Sequence, residues 1–204
     1  MKLKTIPTGV YAANCYIIID EESKEAAVID PGGDSNLIIN FLNSTNSKLM
    51  LILLTHGHFD HTGAAVEISL KYDVPISLHA KDEDFIIEDN ELFRMNNFNA
   101  TSYCHLKDTS IISLGSKIIK CIETPGHSPG GLCYLIEDWL FSGDTLFSGS
   151  IGRTDLMGGD YNTLINSIEE KLLILPDKTK VFPGHGFETT IIREKDTNPF
   201  LKKI

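Results

Sequence analysis

The chain has 204 residues, of which 42% are hydrophobic and 23% are charged, as expected for a globular protein that builds its own core. Its 28 acidic and 18 basic residues give a formal net charge of -10, which argues against a nucleic-acid partner because such binding depends on neutralising phosphates. No apolar run reaches the roughly 18 residues of a membrane span, so we expect no membrane partner.

In the first half of the chain, short apolar runs predict strands and runs with helical spacing predict helices. A turn is expected at residues 30–34, and Ser35 is a candidate N-cap for the helix that follows it. The predicted strands are Val10 to Ile19, Ala26 to Ile29, Leu49 to Leu54 and Pro75 to Leu78, and the predicted helices run from Ser35 to near Asn43 and from Thr62 to Tyr72.

In the second half, a charge-rich segment from Lys81 to Asp108 is predicted to be a helix and a long loop over one face, not a domain boundary. Because strands dominate each half and helices interleave with them, the pattern favours a layered α/β sandwich. The remaining predicted strands are Thr109 to Leu114, Lys117 to Glu123, Leu132 to Ile136, Trp139 to Phe141 and Lys180 to Phe182, and the remaining helices are Tyr161 to Leu173 and Phe187 to Glu194.

The N-terminus and the cysteines indicate a cytoplasmic protein. The segment from Met1 to Asp20 is interrupted by Pro7 and Gly9 and does not have the form of a signal peptide. The four cysteines show no C-x-x-C pairing, so we expect them to be buried or free thiols in a reducing compartment.

Candidate metal ligands first occur directly after the strand predicted at Leu49 to Leu54. The segment Thr55-His56-Gly57-His58-Phe59-Asp60-His61 places three histidines and a carboxylate within six residues. Because residues i and i+2 of an extended segment point the same way, His56 and His58 can reach one ion together. Asp60 and His61 lie on the turn into the next helix and can face a second ion. Imidazole and carboxylate groups are ligands that divalent zinc, iron and manganese use.

Three later loops repeat this arrangement at the end of a predicted strand. Each presents one histidine or aspartate next to glycine, proline or serine residues, a pattern that a solvated polar loop has little reason to repeat. The loops are Thr124 to Gly131 with His127, Phe141 to Thr145 with Asp144, and Phe182 to Gly186 with His185.

These motifs give the sequence a clear resemblance. T-H-G-H-F-D-H, P-G-H-S-P-G, S-G-D and P-G-H-G resemble the metallo-β-lactamase-fold hydrolases, and in particular the glyoxalase II-like branch, the hydroxyacylglutathione hydrolases. The similarity runs from Ala13-Asn14-Cys15-Tyr16 and Asp30-Pro31-Gly32-Gly33 to Asn198-Pro199-Phe200-Leu201, and it is strongest to the short bacterial members. It implies one domain over residues 1–204 with an αββα four-layer sandwich.

The resemblance also implies a ligand set for two divalent metal ions. By it, His56, His58 and His127 bind the first ion, Asp60, His61 and His185 bind the second, and Asp144 bridges both. Zinc is the ion we expect, and iron and manganese accept the same ligands.

The reaction implied is hydrolysis of a thioester such as S-D-lactoylglutathione or another hydroxyacyl thioester. A hydroxide held between the ions would attack the thioester carbonyl, and Asp60 would orient it and act as the catalytic carboxylate. Longer glyoxalase II enzymes carry a C-terminal helical glutathione-binding domain, which we do not expect here because 18 residues follow Gly186. The acyl group, the thiol carrier and the oligomeric state therefore stay open.

Other functions on the same fold remain as alternatives. A persulfide dioxygenase would use one iron on His56, His127 and Asp144, and the segment Gly152-Arg153-Thr154-Asp155 resembles a segment of those enzymes. A lactonase and a metal-binding domain without catalysis are further alternatives. Lactam hydrolysis is disfavoured, because the true β-lactamases of this fold commonly place a cysteine in the second metal site, where this chain has Asp144.

Several residues outside the motifs have more ordinary predicted roles. We expect His79 and His105 to form common hydrogen bonds, and Arg153 and Asp155 either to pair with each other or to bind a substrate carboxylate. Asn14 is predicted to hold a loop near the floor of the cleft, and Gly158-Gly159-Asp160 to form the turn and N-cap of the next helix.

Overall fold

The computed structural model describes residues 1–83 and 102–201, which form two six-stranded sheets, a two-stranded ribbon and helices. The strands are β1 (Lys2–Thr8), β2 (Ala13–Ile19), β3 (Glu25–Ile29), β4 (Lys48–Leu53), β5 (Ile76–His79), β6 (Tyr103–Leu106), β7 (Ile111–Leu114), β8 (Lys117–Glu123), β9 (Leu132–Ile136), β10 (Trp139–Gly143), β11 (Leu146–Phe147), β12 (Ser150–Ile151), β13 (Lys180–Pro183) and β14 (Thr189–Thr190). The helices are α1 (Ser35–Thr45), α2 (Phe59–Thr62), α3 (Ala65–Tyr72), a 3₁₀ turn at Ala80–Asp82, α4 (Tyr161–Ser167), which continues as a π-helix over Ile168–Leu172, and α5 (Ile191–Thr197).

The first sheet has the strand order β1-β2-β3-β4-β5-β6. Strands β1 to β3 are antiparallel, whereas β3 to β6 run parallel. Side chains of a strand alternate between the two faces, and β2 is apolar on both. Its Ile17 packs towards the helix side and its Ile18 towards the second sheet. Burial on both faces explains why β2 has a run of three consecutive isoleucines at residues 17–19.

The second sheet has the order β14-β13-β10-β9-β8-β7, with β10 parallel to β13. The two sheets face each other across a core that includes Ile18, Leu53, Tyr134 and Phe141. Helices α1 and α3 cover the outer face of the first sheet, and α4 and α5 cover that of the second. The predicted αββα four-layer sandwich is thus confirmed.

The loops that carry the metal-ligand motifs meet at one edge of this sandwich. They follow β4, β8, β10 and β13, two of which are parallel neighbours in the second sheet. The two sheets are joined at this edge by direct hydrogen bonds. Leu132 N donates to Thr55 O at 2.7 Å, and Tyr134 Oη donates to Leu54 O at 2.6 Å.

The predicted helix from Thr62 to Tyr72 is divided. Helix α2 covers Phe59–Thr62, and α3 begins at Ala65, after Gly63. The prediction failed because the apolar spacing belongs to α3 alone, whereas α2 is a single turn that presents Asp60 and His61.

The predicted last helix, Phe187 to Glu194, is wrong in its position. Phe187 is exposed, β14 intervenes, and α5 begins only at Ile191. Thr190 caps this helix, since its side chain accepts a hydrogen bond from Arg193 N. The helix start therefore follows the capping residue and not the first apolar residue of the run.

Other predicted boundaries shift for local reasons. Strand β2 starts at Ala13 and not at Val10, and Ser35 is the first residue of α1, whose N-cap position is occupied by Asp34 in a left-handed conformation. Strand β1 was not predicted, because its charged and polar residues alternate with few apolar ones.

The segment from Lys81 to Asp108 is described only at its ends. Residues 102–108 contain β6, an edge strand that the prediction of a helix and loop did not include. The predicted elements within residues 84–101 lie outside the described residues.

The cysteines form no disulfide, as predicted. Cys15, Cys121 and Cys133 are buried, and Cys104 is exposed. In residues 1–83 and 102–201, no helix has the length and apolar character needed to cross a bilayer.

Replacing Tyr134 with phenylalanine should lower the free energy of unfolding by about 1–3 kcal/mol, because the Leu54 carbonyl then loses its donor in a dry core. Urea denaturation measures the change. The matched control Tyr161→Phe, on a half-exposed side chain, should stay within about 0.5 kcal/mol. Equal stability of the two variants would contradict a structural role for the bond between the sheets.

Candidate metal centre

An open cleft with a volume of about 620 Å³ lies at the edge where the motif loops meet. Its floor carries five of the seven predicted metal ligands, and its walls are mainly apolar. The residues that line it are Tyr11, His58, Asp60, His127, Asp144, Phe147, Ile151, Arg153, Leu156 and His185. His56 and His61, the other two predicted ligands, are buried behind this floor.

The first predicted group of ligands is assembled. One ring nitrogen from each of His56, His58 and His127 lies within 4.8 Å of the other two. His58 Nδ1 and His127 Nε2 are 2.9 Å apart. Since His127 follows β8 and the other two follow β4, this group combines one loop from each sheet.

The second predicted group is assembled in the same way. Ligand atoms of Asp60, His61 and His185 also lie within 4.8 Å of one another. Asp60 Oδ2 is 3.1 Å from His185 Nε2 and 3.7 Å from His61 Nε2, and the two ring nitrogens are 3.3 Å apart. This group joins the turn of α2 to the loop after β13.

The carboxylate of Asp144 lies between the two groups. Its Oδ1 is 3.4 Å from His61 Nε2, while its Oδ2 is 3.7 Å from both His127 Nε2 and His185 Nε2. Asp144 therefore has the position that a ligand shared by two ions requires. The backbone of Gly184 comes so close that a Cβ there would collide with Asp144 Oδ1, which explains the small residue in this loop.

Asp30, predicted only as part of a turn, orients histidines of both groups. Its buried carboxylate accepts hydrogen bonds from Thr55 N at 2.7 Å, Thr55 Oγ1 at 2.6 Å and His61 Nδ1 at 3.0 Å. Because the Thr55 hydroxyl donates to Asp30, its oxygen is left to accept from His56 Nδ1, 3.0 Å away. Both imidazoles are thereby held with Nε2 towards the cleft.

Asp82 is a second buried carboxylate that supports the centre. It accepts hydrogen bonds from Gly57 N at 3.0 Å, Ser128 Oγ at 2.6 Å and Gly130 N at 2.6 Å. These donors belong to the loops of His56 and His127, which come from different sheets. Asp82 therefore fixes the two loops of the first group relative to each other.

A backbone carbonyl positions His127, and Asn14 holds the loop of His185. His127 Nδ1 donates to Arg153 O at 2.8 Å, which directs its Nε2 to the centre. As predicted, Asn14 holds a loop at the cleft floor: its Nδ2 donates to Pro183 O and Gly186 O, both at 3.0 Å. These two residues flank His185.

Burial and neighbouring imidazoles keep two histidines of the first group, His56 and His58, neutral. Burial and the nearby imidazoles of His61 and His127 lower the pKa of His56 well below its ordinary value. Burial and His127 likewise lower the pKa of His58 to about 4. Neutral imidazoles are the form that binds a metal ion.

In the second group, by contrast, neighbouring carboxylates raise the pKa values of both histidines. Burial lowers the pKa of His61, but the charge of Asp144 and the hydrogen bond to Asp30 outweigh it and raise the value to about 9. Burial raises the pKa of Asp60, but the hydrogen bond from His185 and the neighbouring charges lower it to about 2. The same bond raises the pKa of His185.

The residues present fit divalent metal ions. His56 Nε2 and Asp144 Oδ1 are buried without a hydrogen-bond partner among the described residues. Burying such an atom unsatisfied costs about 1–3 kcal/mol, so both atoms suit an ion as their partner. Imidazole nitrogen and carboxylate oxygen are ligand types for zinc, iron and manganese.

The predicted residues outside the motifs are accounted for by ordinary contacts. His79 Nδ1 accepts from Lys81 N, and its Nε2 is 3.2 Å from Glu123. His105 pairs with Glu83 at 2.6 Å. Asp160 caps α4 through Thr163 N, as predicted.

Of the two predicted roles of Arg153, the structure shows the ion pair. Its Nε and Nη2 each donate to Asp155 at 2.7 Å, and both side chains are exposed. This bidentate bond lowers the pKa of Asp155 to about 2.

Asp30→Asn should weaken metal binding about 10- to 100-fold, because an amide cannot accept all three hydrogen bonds that orient His56 and His61. Competition with a chromophoric chelator measures the affinity. The matched control is Asp34→Asn, an exposed carboxylate nearby that accepts a hydrogen bond from Gly9 N, and it should bind metal as the unaltered chain does. Equal affinities for both variants would show that Asp30 does not orient the ligands.

Known proteins are similar to this chain in sequence. Residues 8–185 match the metallo-beta-lactamase superfamily. The chain is 39% identical to "Probable metallo-hydrolase YqgX" of Bacillus subtilis (strain 168) and 38% identical to the hydroxyacylglutathione hydrolase GloC of Haemophilus influenzae, with 98% of each chain covered in both cases.

Solved structures are similar to this chain in fold as well as in sequence. The structure of the BLEG-1 B3 metallo-beta-lactamase has a TM-score of 0.90 and 40% identity, covering 99% of this chain and 100% of that one. The structure of TTHA1623 in a di-iron-bound form has a TM-score of 0.85 and 33% identity over 97% and 100% of the two chains. The chain therefore belongs to the metallo-beta-lactamase superfamily.

Proposed function

We propose that this protein is a hydrolase that uses two divalent metal ions, both zinc, to cleave small thioesters. The observation that carries the proposal is the pair of ligand groups with Asp144 between them at the floor of an open cleft. Seven ligand side chains are more than one ion uses. The likeness to GloC, named a hydroxyacylglutathione hydrolase, supports hydroxyacyl thioesters such as S-D-lactoylglutathione as substrates.

The residues would divide between the two ions by their grouping. His56, His58 and His127 would hold the first ion, and Asp60, His61 and His185 the second, with Asp144 shared. When bound, such ions supply Lewis acidity for the carbonyl oxygen and lower the pKa of water to about 7, so that hydroxide is available at neutral pH.

The chain's own groups prepare the attack. With its pKa lowered to about 2, Asp60 is ionised at neutral pH and offers a carboxylate oxygen at the cleft floor. It can accept a hydrogen bond from the attacking water, fix its orientation and take up its proton. The buried hydrogen bonds that Asp30 and Asp82 accept hold the histidines and their loops in place, so little reorganisation accompanies the reaction.

A second candidate, β-lactam hydrolysis, is favoured by the likeness to the BLEG-1 B3 metallo-beta-lactamase. It would use the same cleft and the same ligands.

Metal analysis combined with a substrate panel tests the proposal. Loaded protein should contain close to two metal ions per chain and hydrolyse thioesters faster than lactones and β-lactams. Removal of the metal by a chelator should abolish the rate, and zinc should restore it. A reproducible content of one iron, with oxygen uptake on glutathione persulfide, would replace the proposal with a persulfide dioxygenase.

Asp144→Asn should weaken the binding of at least one ion and lower the hydrolysis rate by orders of magnitude, because an amide removes the charge shared between the two groups. Its circular dichroism spectrum should not change, since Asp144 is a loop residue outside the core. The matched control Asp196→Asn, on the exposed face of α5, should retain both ions and full activity. Full activity in Asp144→Asn would exclude the bridging role.

The affinity for zinc should rise with pH and level off above about pH 9. His61 is protonated at neutral pH in the metal-free protein, because its pKa is about 9, and it must lose this proton to bind an ion. His56 and His58 are already neutral there and release none. Calorimetry in two buffers of different ionisation enthalpy should give at least about one proton released per chain at pH 7.5. A release of zero would contradict the assignment of His61.

A further inference from the structure

The walls of the cleft are apolar, in contrast to its floor. Tyr11, Phe147, Ile151 and Leu156 line the same cavity as the candidate metal ligands. The Phe147 ring lies 6.4 Å from that of His185, so the apolar wall begins directly beside the second ligand group. A group attached to the reacting carbonyl would therefore contact aliphatic and aromatic carbon.

Further apolar side chains are exposed on the loops that line the cleft. Val10, Met157 and Phe187 are exposed by 90%, 66% and 87%, and they belong to the loops that carry Tyr11, Leu156 and His185. Large apolar side chains on three separate loops around one cavity are unusual for an ordinary surface and mark binding sites.

The charges in the cleft also favour an apolar substrate group. Among the described residues that line the cleft, Arg153 is the one lysine or arginine, and Asp155 occupies it through two hydrogen bonds of 2.7 Å. A substrate with several carboxylates, as glutathione has, finds little to neutralise it in this part of the chain. The cleft favours a neutral, apolar group.

We propose, on the basis of the thioester hydrolase activity proposed above, that the substrates are thioesters with an uncharged apolar group, larger than lactoyl, bound against Tyr11, Phe147, Ile151 and Leu156. The apolar group belongs either to the acyl part or to the thiol part of the thioester. The cavity of about 620 Å³ has the size of a small-molecule site and exceeds what a lactoyl group fills.

The first test compares kcat/KM for acetyl, lactoyl, butyryl and hexanoyl thioesters of N-acetylcysteamine, and for acetyl thioesters of thiols of increasing alkyl length. Each methylene that becomes buried should raise kcat/KM by up to about fourfold, so hexanoyl should exceed acetyl by at least about tenfold. If kcat/KM increases along the acyl series, the apolar group belongs to the acyl part of the thioester. If it increases along the thiol series, the apolar group belongs to the thiol part. Flat series with lactoyl preferred would overturn the inference while leaving thioester hydrolysis intact.

A binding experiment is independent of turnover. Calorimetry with S-methyl, S-butyl and S-hexyl thioethers of N-acetylcysteamine should show affinity increasing with chain length. If the hexyl thioether binds but no thioester is hydrolysed, the proposed function fails and the apolar site stands. Absence of binding by the hexyl thioether would overturn the site itself.

Substitution of a wall residue locates the effect. Leu156→Ser should lower the hexanoyl-to-acetyl ratio of kcat/KM, or the corresponding ratio in the thiol series, by about five- to tenfold, since it removes one apolar wall. The matched control Leu37→Ser, at an exposed position of α1 that does not line the cleft, should keep the ratio of the unaltered chain. Equal ratios in both variants would show that the apolar group binds elsewhere.

Discussion

The carboxylate of Asp30 is the constraint on which the metal centre depends. It lies at the end of β3 and is buried, so its two oxygens must be satisfied by the protein itself. Thr55 and His61 donate these hydrogen bonds, and the Thr55 hydroxyl oxygen in turn accepts one from His56 and orients its ring. One buried acid therefore fixes the ring orientation of a histidine in each ligand group, and the sheet fixes the acid.

The sandwich brings together more metal ligands than a single loop could present. Ligands leave the ends of β4, β8, β10 and β13, so each group contains residues from both sheets. Asp82 ties the loop of His56 to that of His127, and Asn14 holds the loop of His185. Since these supports are buried hydrogen bonds on rigid elements, the functional atoms are held in place before a substrate binds. The apolar walls then provide the selectivity that the polar floor does not.

Local signals in the sequence predicted the layers and the loops that carry candidate ligands, and the family resemblance implied that the seven side chains converge. Apolar runs mark strands, and the histidines and aspartates follow directly after them. Asp30 shows the same signal, an acid directly after a strand, yet its role needs the distant Thr55 and His61 and could not be deduced from a turn sequence. Asp82 has no such signal, because its partners lie 25 to 48 residues away in the chain. Helix α5 was misplaced since the apolar Phe187 precedes its cap at Thr190.

The division of each ligand group between the two sheets has a mechanical consequence. Residues 56–61 belong to one half of the sandwich, and residues 127, 144 and 185 belong to the other. An ion that binds only the assembled site stabilises the folded state in proportion to the logarithm of its concentration over its dissociation constant. Here that stabilisation acts between the two halves of the sandwich, because each ligand group draws residues from both. The cohesion of the two sheets at this edge is thereby coupled to the supply of metal in the surroundings.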